Sequence, residues 1–165
     1  MHKPSENNDE IKRKIVEKYF DTVYRLALSQ TQDTHRADDV LQEVFVRYIK
    51  TDASYFKSEE HIKAWLIRVT INCSKSSFTN SWNKKTVPLT EDITFELPEE
   101  EDLYFAVAKL PKKYRAVIHL FYYEDLSVKE ISQYLKIKET TVKSQLHRAR
   151  EMLRNILERG DEVEF

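Results

Sequence analysis

The sequence predicts an all-α fold made of two small helical domains. The chain has 165 residues, which suits one medium domain or two small ones, and it contains one glycine and four prolines. So few turn-forming residues leave little room for β-hairpins. Charged residues make up 33% of the chain, and apolar residues recur at spacings of three and four along most of it. Both observations favour packed amphipathic helices.

Charge divides the chain into three parts. Residues 1–85 hold 15 basic and 12 acidic residues, residues 86–102 hold seven acidic residues, and residues 103–165 hold 12 basic and nine acidic residues. Pro88 and Pro98 break the helical period inside the acidic part. We therefore predict a domain over 1–85, an acidic linker over 86–102 and a domain over 103–165. The net charge of −1 does not argue against polyanion binding, because the field of each flanking domain is locally basic.

Three helices are predicted in the first domain. The first begins at Ile11 after a frayed polar terminus, the second begins near His35, and the third runs on to Lys85. Towards the end of the third helix the apolar stripe thins to Phe78 and Trp82, so one side of this segment should be open. The spacing of four between these two rings favours a core position over base stacking.

Four helices are predicted in the second domain. One runs from Leu103 to Leu110 and stops at Pro111, and the next runs from Lys112 to Tyr123. The residues of this second helix expected to pack inward are Tyr114, Val117, Ile118, Phe121 and Tyr122.

The last two helices form a helix-turn-helix motif over residues 126–157. Ser127 and Glu130 form a capping box, so a helix should begin near Val128. A short turn follows at Lys136 and Ile137. On the final helix the predicted buried residues are Val142, Leu146, Ala149, Leu153, Ile156 and Leu157.

The outer face of the final helix has the chemistry of a DNA-reading surface. Its residues are Thr140, Thr141, Lys143, Ser144, Gln145, His147, Arg148 and Arg150. Hydroxyls and amides match base edges, while lysine and arginine bind phosphates. The alternative is an ordinary amphipathic hairpin with a basic solvated face.

Several function classes find no support in the sequence. Cys73 is the only cysteine, the five histidines stand singly, and there is no phosphate-binding glycine loop or HExxH motif. We therefore predict no catalytic residues, no metal site and no cofactor. No stretch approaches the roughly 20 apolar residues of a membrane span, and the N-terminus lacks a signal-peptide core. A soluble, cytoplasmic protein without membrane insertion is expected.

Three segments of the sequence follow one another in a fixed order. They are DDVLQEVFVR from Asp38, WLIRVTIN from Trp65, and LPKKYRAVIHLFYYEDLSVKEISQYLKIKETTVKSQLHRAREML from Leu110. This combination resembles a bacterial RNA polymerase sigma factor of the extracytoplasmic-function (ECF) type in the sigma-70 family, and the resemblance covers residues 11–158. It implies a region 2 domain, a region 4 domain, and an alternative sigma factor that binds core RNA polymerase and promoter DNA. It implies no catalysis, and it makes an anti-sigma factor an expected partner.

The resemblance assigns roles by position. The family's acidic helix, which docks on the clamp helices of the polymerase β′ subunit, corresponds to Asp38, Asp39, Gln42 and Glu43. The segment that melts and reads the minus-ten element corresponds to Asn72, Lys75, Ser76, Thr79, Lys84 and Lys85. The helix that reads the minus-thirty-five element corresponds to Thr140, Thr141, Lys143, Ser144, His147 and Arg148. Trp65 corresponds to a core tryptophan, and the family's β subunit contacts complete the polymerase interface.

Some alternatives stay open at this point. The acids of the second helix also suit its dipole, and the acidic linker suits either an imitation of nascent RNA in the polymerase channel or a simple tether. Many family members carry aspartate and arginine near Ser76 and Thr79, where this chain has small polar residues. The family also often has glycine in the turn where this chain has KIKE. A stand-alone helix-turn-helix regulator would bind an operator without polymerase, and a purely interacting helical protein would need none of the basic face.

Overall fold

The computed structural model describes residues 4–75 and 101–159. The chain divides into two compact units, Met1–Val87 and Pro88–Phe165. Each regular element in the described ranges is helical, so the all-α prediction is confirmed. None of the described helices is long and apolar enough to cross a membrane.

The first unit is built from three described helices. They are α1 (Pro4–Thr31), α2 (Thr34–Lys50) and α3 (Glu59–Cys73), with a 3₁₀ turn at Ala53–Tyr55 between α2 and α3. Each of the three helices packs against the other two. The most deeply buried apolar side chains of this core are Val23, Leu26, Val40, Val44, Leu66 and Ile67.

Two helix boundaries in this unit differ from the sequence prediction. Helix α1 begins at Pro4, well before Ile11. Ion pairs one turn apart support the polar N-terminal half of this helix. Helix α3 ends at Cys73 and does not run on to Lys85 as a continuous helix. Thr70 and Ser74 each donate a side-chain hydrogen bond to a carbonyl one turn back, an interaction that competes with regular helix geometry.

Both ends of α2 are closed by side chains. The Asp33 carboxylate accepts hydrogen bonds from the backbone N–H groups of His35 at 2.9 Å and Arg36 at 3.1 Å. At the other end, Lys12 Nζ donates to the carbonyl oxygens of Ile49 at 2.6 Å and Thr51 at 2.9 Å. These contacts satisfy groups that a helix cannot pair by itself, so the position of α2 is well defined.

Trp65 contacts two aromatic rings at the junction of α2 and α3. Its ring centroid lies 5.5 Å from Phe56 and 6.3 Å from Tyr48. These contacts support its interpretation as a packing residue.

The second unit contains a helix-turn-helix pair preceded by two shorter helices. Its described elements are α4 (Glu101–Ala108), α5 (Lys112–Ile118), which passes into a π-helical turn (His119–Tyr123), then α6 (Val128–Leu135) and α7 (Glu139–Arg159). The most deeply buried apolar side chains are Leu110, Val117, Ile118, Leu120, Ile131 and Val142.

The π-helical turn changes which residues after α5 are buried. The sequence predicts Phe121 and Tyr122 as packing residues, but Phe121 is half-buried and Tyr122 is 51% exposed, while His119 and Leu120 are buried. Hydrogen bonds of the wider turn, such as that from the Glu124 N–H to the His119 carbonyl at 3.2 Å, rotate later side chains away from the regular helical register. The prediction that Tyr122 packs inward is therefore wrong.

The helix-turn-helix pair begins and turns where the sequence predicts. Ser127 and Glu130 form the reciprocal capping box before α6. Helix α6 ends at Lys136, whose φ of 57° and ψ of 44° place it in the left-handed region. Of the residues predicted to be buried on α7, only Leu157 is not; it is 49% exposed because it lies at the edge of the apolar stripe near the end of the helix.

Candidate functional sites

The outer face of α2 carries the four residues predicted to bind core polymerase. Asp38 and Gln42, one helical turn apart, are exposed, while Asp39 and Glu43 are half-buried. Glu43 accepts a hydrogen bond from Arg47 Nε at 2.7 Å, and this bond raises the pKa of Arg47. Asp38 and Gln42 are therefore the members of this set that most openly face solvent.

The helix dipole does not explain these acids. Its effect falls off within the first turn of a helix, and the first turn of α2 contains no acidic residue. Asp33 already occupies the capping position before α2. Asp38 and Asp39 lie in the second turn, where a carboxylate gains little from the dipole.

Exposed apolar side chains continue this face of α2, and sequence reasoning missed them. Val46 is 42% exposed and lies one turn beyond Gln42, and Ile49 is 54% exposed. The available signal was the spacing of four from Asp38 through Gln42 to Val46. The polar residues Asp38 and Gln42 and the apolar residues Val46 and Ile49 together form a continuous surface on α2.

The predicted minus-ten residues fall mostly outside the described ranges. Asn72 and Lys75 are described; both are exposed at the end of α3. The others, Ser76, Thr79, Lys84 and Lys85, lie outside the described residues, as do Phe78 and Trp82.

The predicted minus-thirty-five residues lie together on the outside of α7. Thr140, Lys143, Ser144, His147 and Arg148 are exposed and Thr141 is half-buried. Val142, Leu146 and Ala149 face inward on the same turns and are buried. The structure therefore brings all six residues onto the first turns of one helix, with their polar ends accessible.

Several exposed side chains of α7 interact with neighbouring side chains. His147 Nε2 lies 3.1 Å from Glu151 Oε1. Arg148 hydrogen-bonds the Tyr114 hydroxyl, which lowers the pKa of that tyrosine. Arg150 Nε donates to the Tyr122 hydroxyl at 2.8 Å. The two tyrosines come from α5 and the turn that follows it, so periodicity within α7 carries no signal for either contact.

Metal-binding groups do not cluster in the described part of the chain. No group of three or more His, Cys, Asp or Glu side chains there could hold a metal ion. Cys73 is 2% exposed, and burial raises the pKa of its thiol.

Comparison with known proteins identifies both halves of the chain. The model of Sigma-70 region 2 matches residues 15–83, and the model of Sigma-70, region 4 matches residues 100–153. The ECF RNA polymerase sigma factor SigM of Bacillus subtilis is 34% identical over 158 residues, covering 88% of this chain and 94% of SigM. SigW of the same organism, also an ECF sigma factor, is 32% identical over 164 residues, covering 87% of each chain.

Two solved structures share the fold. The sigma factor RpoE of Bartonella quintana, solved in complex with the anti-sigma factor NepR, superposes with a TM-score of 0.69 at 18% identity, covering 91% of this chain and 98% of RpoE. CnrH, solved in complex with the cytosolic domain of CnrY, superposes with a TM-score of 0.70 at 21% identity, covering 93% of this chain and 91% of CnrH.

A chain that carries region 2 followed by region 4 is a sigma factor of the sigma-70 type. This chain belongs to the extracytoplasmic-function sigma factors, as its identity to SigM and SigW over most of its length shows. It is an alternative sigma factor that directs promoter-specific transcription initiation. A stand-alone helix-turn-helix regulator is not favoured, because region 2 is present beside the helix-turn-helix unit.

Proposed function

We propose that this ECF sigma factor docks on the β′ subunit of core polymerase through the outer face of α2. The observation that carries the proposal is the exposed pair Asp38 and Gln42, placed beyond the reach of the helix dipole. A carboxylate and an amide one turn apart complement a basic helical surface. Val46 and Ile49 add apolar area to the same face, as the centre of a protein interface requires.

The first turns of α7 form the minus-thirty-five interface in this proposal. Thr140, Ser144 and His147 offer groups that hydrogen-bond base edges, while Lys143 and Arg148 bind phosphates. The buried stripe through Val142 and Leu146 fixes the orientation of the helix on its domain. A recognition helix that enters the major groove needs this combination of a rigid inner face and a polar outer face.

The end of α3 begins the minus-ten interface. Asn72 and Lys75 are exposed there, with an amide for base edges and an ammonium group for phosphates. For Ser76 and Thr79 the support is the region 2 match, which reaches residue 83, and Lys84 and Lys85 follow directly after it.

Each DNA site by itself offers few phosphate contacts, so free sigma factor should bind promoters weakly. Core polymerase aligns the two sites and makes them act together. The protein supplies recognition and no catalysis or cofactor of its own, because sigma factors are initiation factors. It works where polymerase and chromosome meet, in the cytoplasm.

An anti-sigma factor is the further proposed partner. RpoE and CnrH, which share this fold, were each solved with a partner protein: the anti-sigma factor NepR and the cytosolic domain of CnrY. A partner that covers the α2 face or the α7 face would prevent assembly with polymerase or DNA.

Reconstituted run-off transcription with core polymerase on a promoter library tests the proposal and yields the promoter. The variant Asp38→Ala with Gln42→Ala should weaken core binding at least about tenfold, because central interface residues carry most of the affinity. Asp21→Ala, an exposed acid on α1, is the matched control and should bind core polymerase normally. Equal core binding by the double variant would place the interface elsewhere, and specific promoter binding without polymerase would favour the stand-alone regulator.

A further inference from the structure

Two arginines near the middle of α7 are held on opposite sides of the helix by two tyrosines. Successive residues of an α-helix are rotated by about 100°, so Arg148 and Arg150 point in roughly opposite directions. Tyr114, on α5, hydrogen-bonds Arg148, and Tyr122, in the π-helical turn, hydrogen-bonds Arg150. The segment that packs beneath α7 therefore supports both flanks of its outer face.

The contact between Arg150 and Tyr122 is the better defined of the two. Arg150 Nε donates to the Tyr122 hydroxyl at 2.8 Å, and its guanidinium carbon lies 5.7 Å from the Tyr122 ring centroid and 5.8 Å from that of Phe121. An arginine over aromatic faces gains cation–π attraction. These interactions fix a long side chain that would otherwise sample many rotamers on the surface.

This arrangement leaves the functional end of Arg150 available. Arginine has five N–H donors, and Tyr122 accepts the one on Nε. The two terminal nitrogens carry the other four donors, in the planar fork that matches phosphate. Arg150 is exposed to solvent. The guanidinium group of Arg150 is therefore already held in place before any ligand binds.

The position of Arg150 on α7 aligns it with the proposed DNA interface. Lys143 and Arg150 are seven residues apart, two helical turns, so they share one flank of the helix about 10 Å apart. Thr141 and Arg148 share the opposite flank in the same way. A helix in the major groove, which is about 12 Å wide, has a phosphate backbone on each side. Each flank of α7 would then lie along the phosphate backbone of one DNA strand.

The π-helical turn is the reason that Tyr122 can reach Arg150. In a regular continuation of α5 the sequence pattern turns Tyr122 inward, but the wider turn leaves it 51% exposed. π-helical turns are rare overall, but those that occur are often found at functional sites. The turn thus places the tyrosine hydroxyl beside the recognition helix.

We propose that Arg150 is a phosphate-binding residue of the minus-thirty-five interface and that Tyr122 is the residue that positions it. The inference rests on the proposed role of α7 and extends that interface by one residue and one supporting side chain. Prior ordering of Arg150 removes part of the entropy that binding would otherwise lose. Arg150 would contact the DNA phosphate backbone and not base edges, so it should raise the affinity for all promoters alike.

The test uses holoenzyme reconstituted with the full-length chain on the promoter that wild-type holoenzyme selects from a library. Arg150→Ala should make the negative slope of log affinity against log salt less steep by about 0.9, the loss of one phosphate contact. Tyr122→Phe keeps the ring and removes the hydroxyl, and should weaken promoter binding by about two- to tenfold. In the Arg150→Ala background, Tyr122→Phe should have no further effect, since the residue it positions is gone.

Two variants separate this role from a structural one. Arg159→Ala, an exposed arginine at the end of the same helix, removes one charge far from the first turns and should leave the salt slope unchanged. Arg150→Lys keeps the charge and the apolar stem, so it should retain the salt slope even if Arg150→Ala disturbs packing.

The outcomes distinguish this inference from the proposed function. If the wild-type holoenzyme selects no promoter, the proposed function itself fails. If it selects one but Arg150→Ala keeps the wild-type salt slope, only the role of Arg150 is overturned. If Tyr122→Phe weakens binding equally with and without Arg150, the tyrosine acts on the fold and does not position Arg150.

Discussion

Lys136 is the residue that closes α6 in the left-handed backbone region, with a φ of 57°. A side chain with a Cβ atom is crowded there, at a cost of about 1 kcal/mol, while glycine is not. We predict that Lys136→Gly stabilises the second unit by about 1 kcal/mol, measured by urea denaturation.

Lys136→Ala is the matched control for this prediction. It removes the same charge and the same long side chain but keeps the Cβ atom that causes the crowding. Equal stability of the two variants would show that backbone conformation at this turn is not the source of the effect.

Glu59 links α3 to α1 and should give the first unit a pH-dependent stability. Lys18 Nζ and the Tyr19 hydroxyl donate to Glu59 Oε1, and these bonds lower the pKa of Glu59 below its ordinary value of 4.5. A lowered folded-state pKa stabilises the protein above the unfolded-state value, and the benefit is lost as pH falls through the folded-state value.

We therefore predict that Glu59→Gln lowers the melting temperature of the first unit more at about pH 7 than at about pH 3. Thermal unfolding followed by circular dichroism measures both. Glu17→Gln, which breaks an exposed pair within α1, serves for comparison and should change little at either pH. An equal decrease in melting temperature at both pH values would mean that the charge of Glu59 is not involved.

Individual helices show where sequence patterns suffice and where they do not. Spacings of three and four were enough for the body of each helix, and the Ser127 and Glu130 pair was enough for the start of α6. The end of α3 was missed because the hydrogen bonds of Thr70 and Ser74 depend on side-chain rotamers, which periodicity does not contain. The π-helical turn was missed for a similar reason, since one extra residue in a turn leaves composition unchanged.

Glu151 is an acid on the outer face of α7, close to its DNA-compatible residues. Glu151 is exposed and pairs with His147 at 3.1 Å. Its carboxylate repels phosphates, so Glu151→Gln should raise promoter affinity of the holoenzyme by about two- to threefold at low salt. The gain should shrink as salt increases, because screening weakens the repulsion.

Glu158→Gln provides the comparison within the same helix. It lies seven residues further on and is also exposed, so it faces the same way but lies about 10 Å further from the first turns. A gain from Glu158→Gln as large as that from Glu151→Gln would indicate a general charge effect and not a local one.

The candidate sites were predictable to different degrees. The exposed residues of α7 follow from its buried stripe, and those of α2 from an acid cluster that a family pattern matches. The tyrosine partners of Arg148 and Arg150 were not predictable, since they come from a different helix and depend on the packing angle. Val46 and Ile49 were not predicted as part of the site because they are apolar, although a binding face also needs apolar surface.

At the scale of the whole molecule, each unit has its own buried core. We predict that fragments 1–87 and 88–165 each unfold cooperatively when studied alone. Mixed as separate chains, they should support far less run-off transcription than the intact protein at the same concentration. A covalent connection supplies the effective concentration that brings the second domain to its element once the first has bound.

Matched run-off reactions with the intact chain and with the mixed fragments measure this difference, and raising the fragment concentration should narrow it. Full activity of dilute fragments would mean that polymerase holds each domain tightly enough without the connection.

Lys12 affects how the protein can be cut or fused. Its ammonium group donates hydrogen bonds to the carbonyl groups of Ile49 and Thr51, so the early part of α1 secures the helix that carries the proposed polymerase-binding surface. A purification tag attached ahead of Pro4 should leave these two hydrogen bonds of Lys12 intact. A truncation that reaches past Lys12 frees the last turn of α2, including Ile49, and should reduce polymerase binding without altering any residue of the proposed interface.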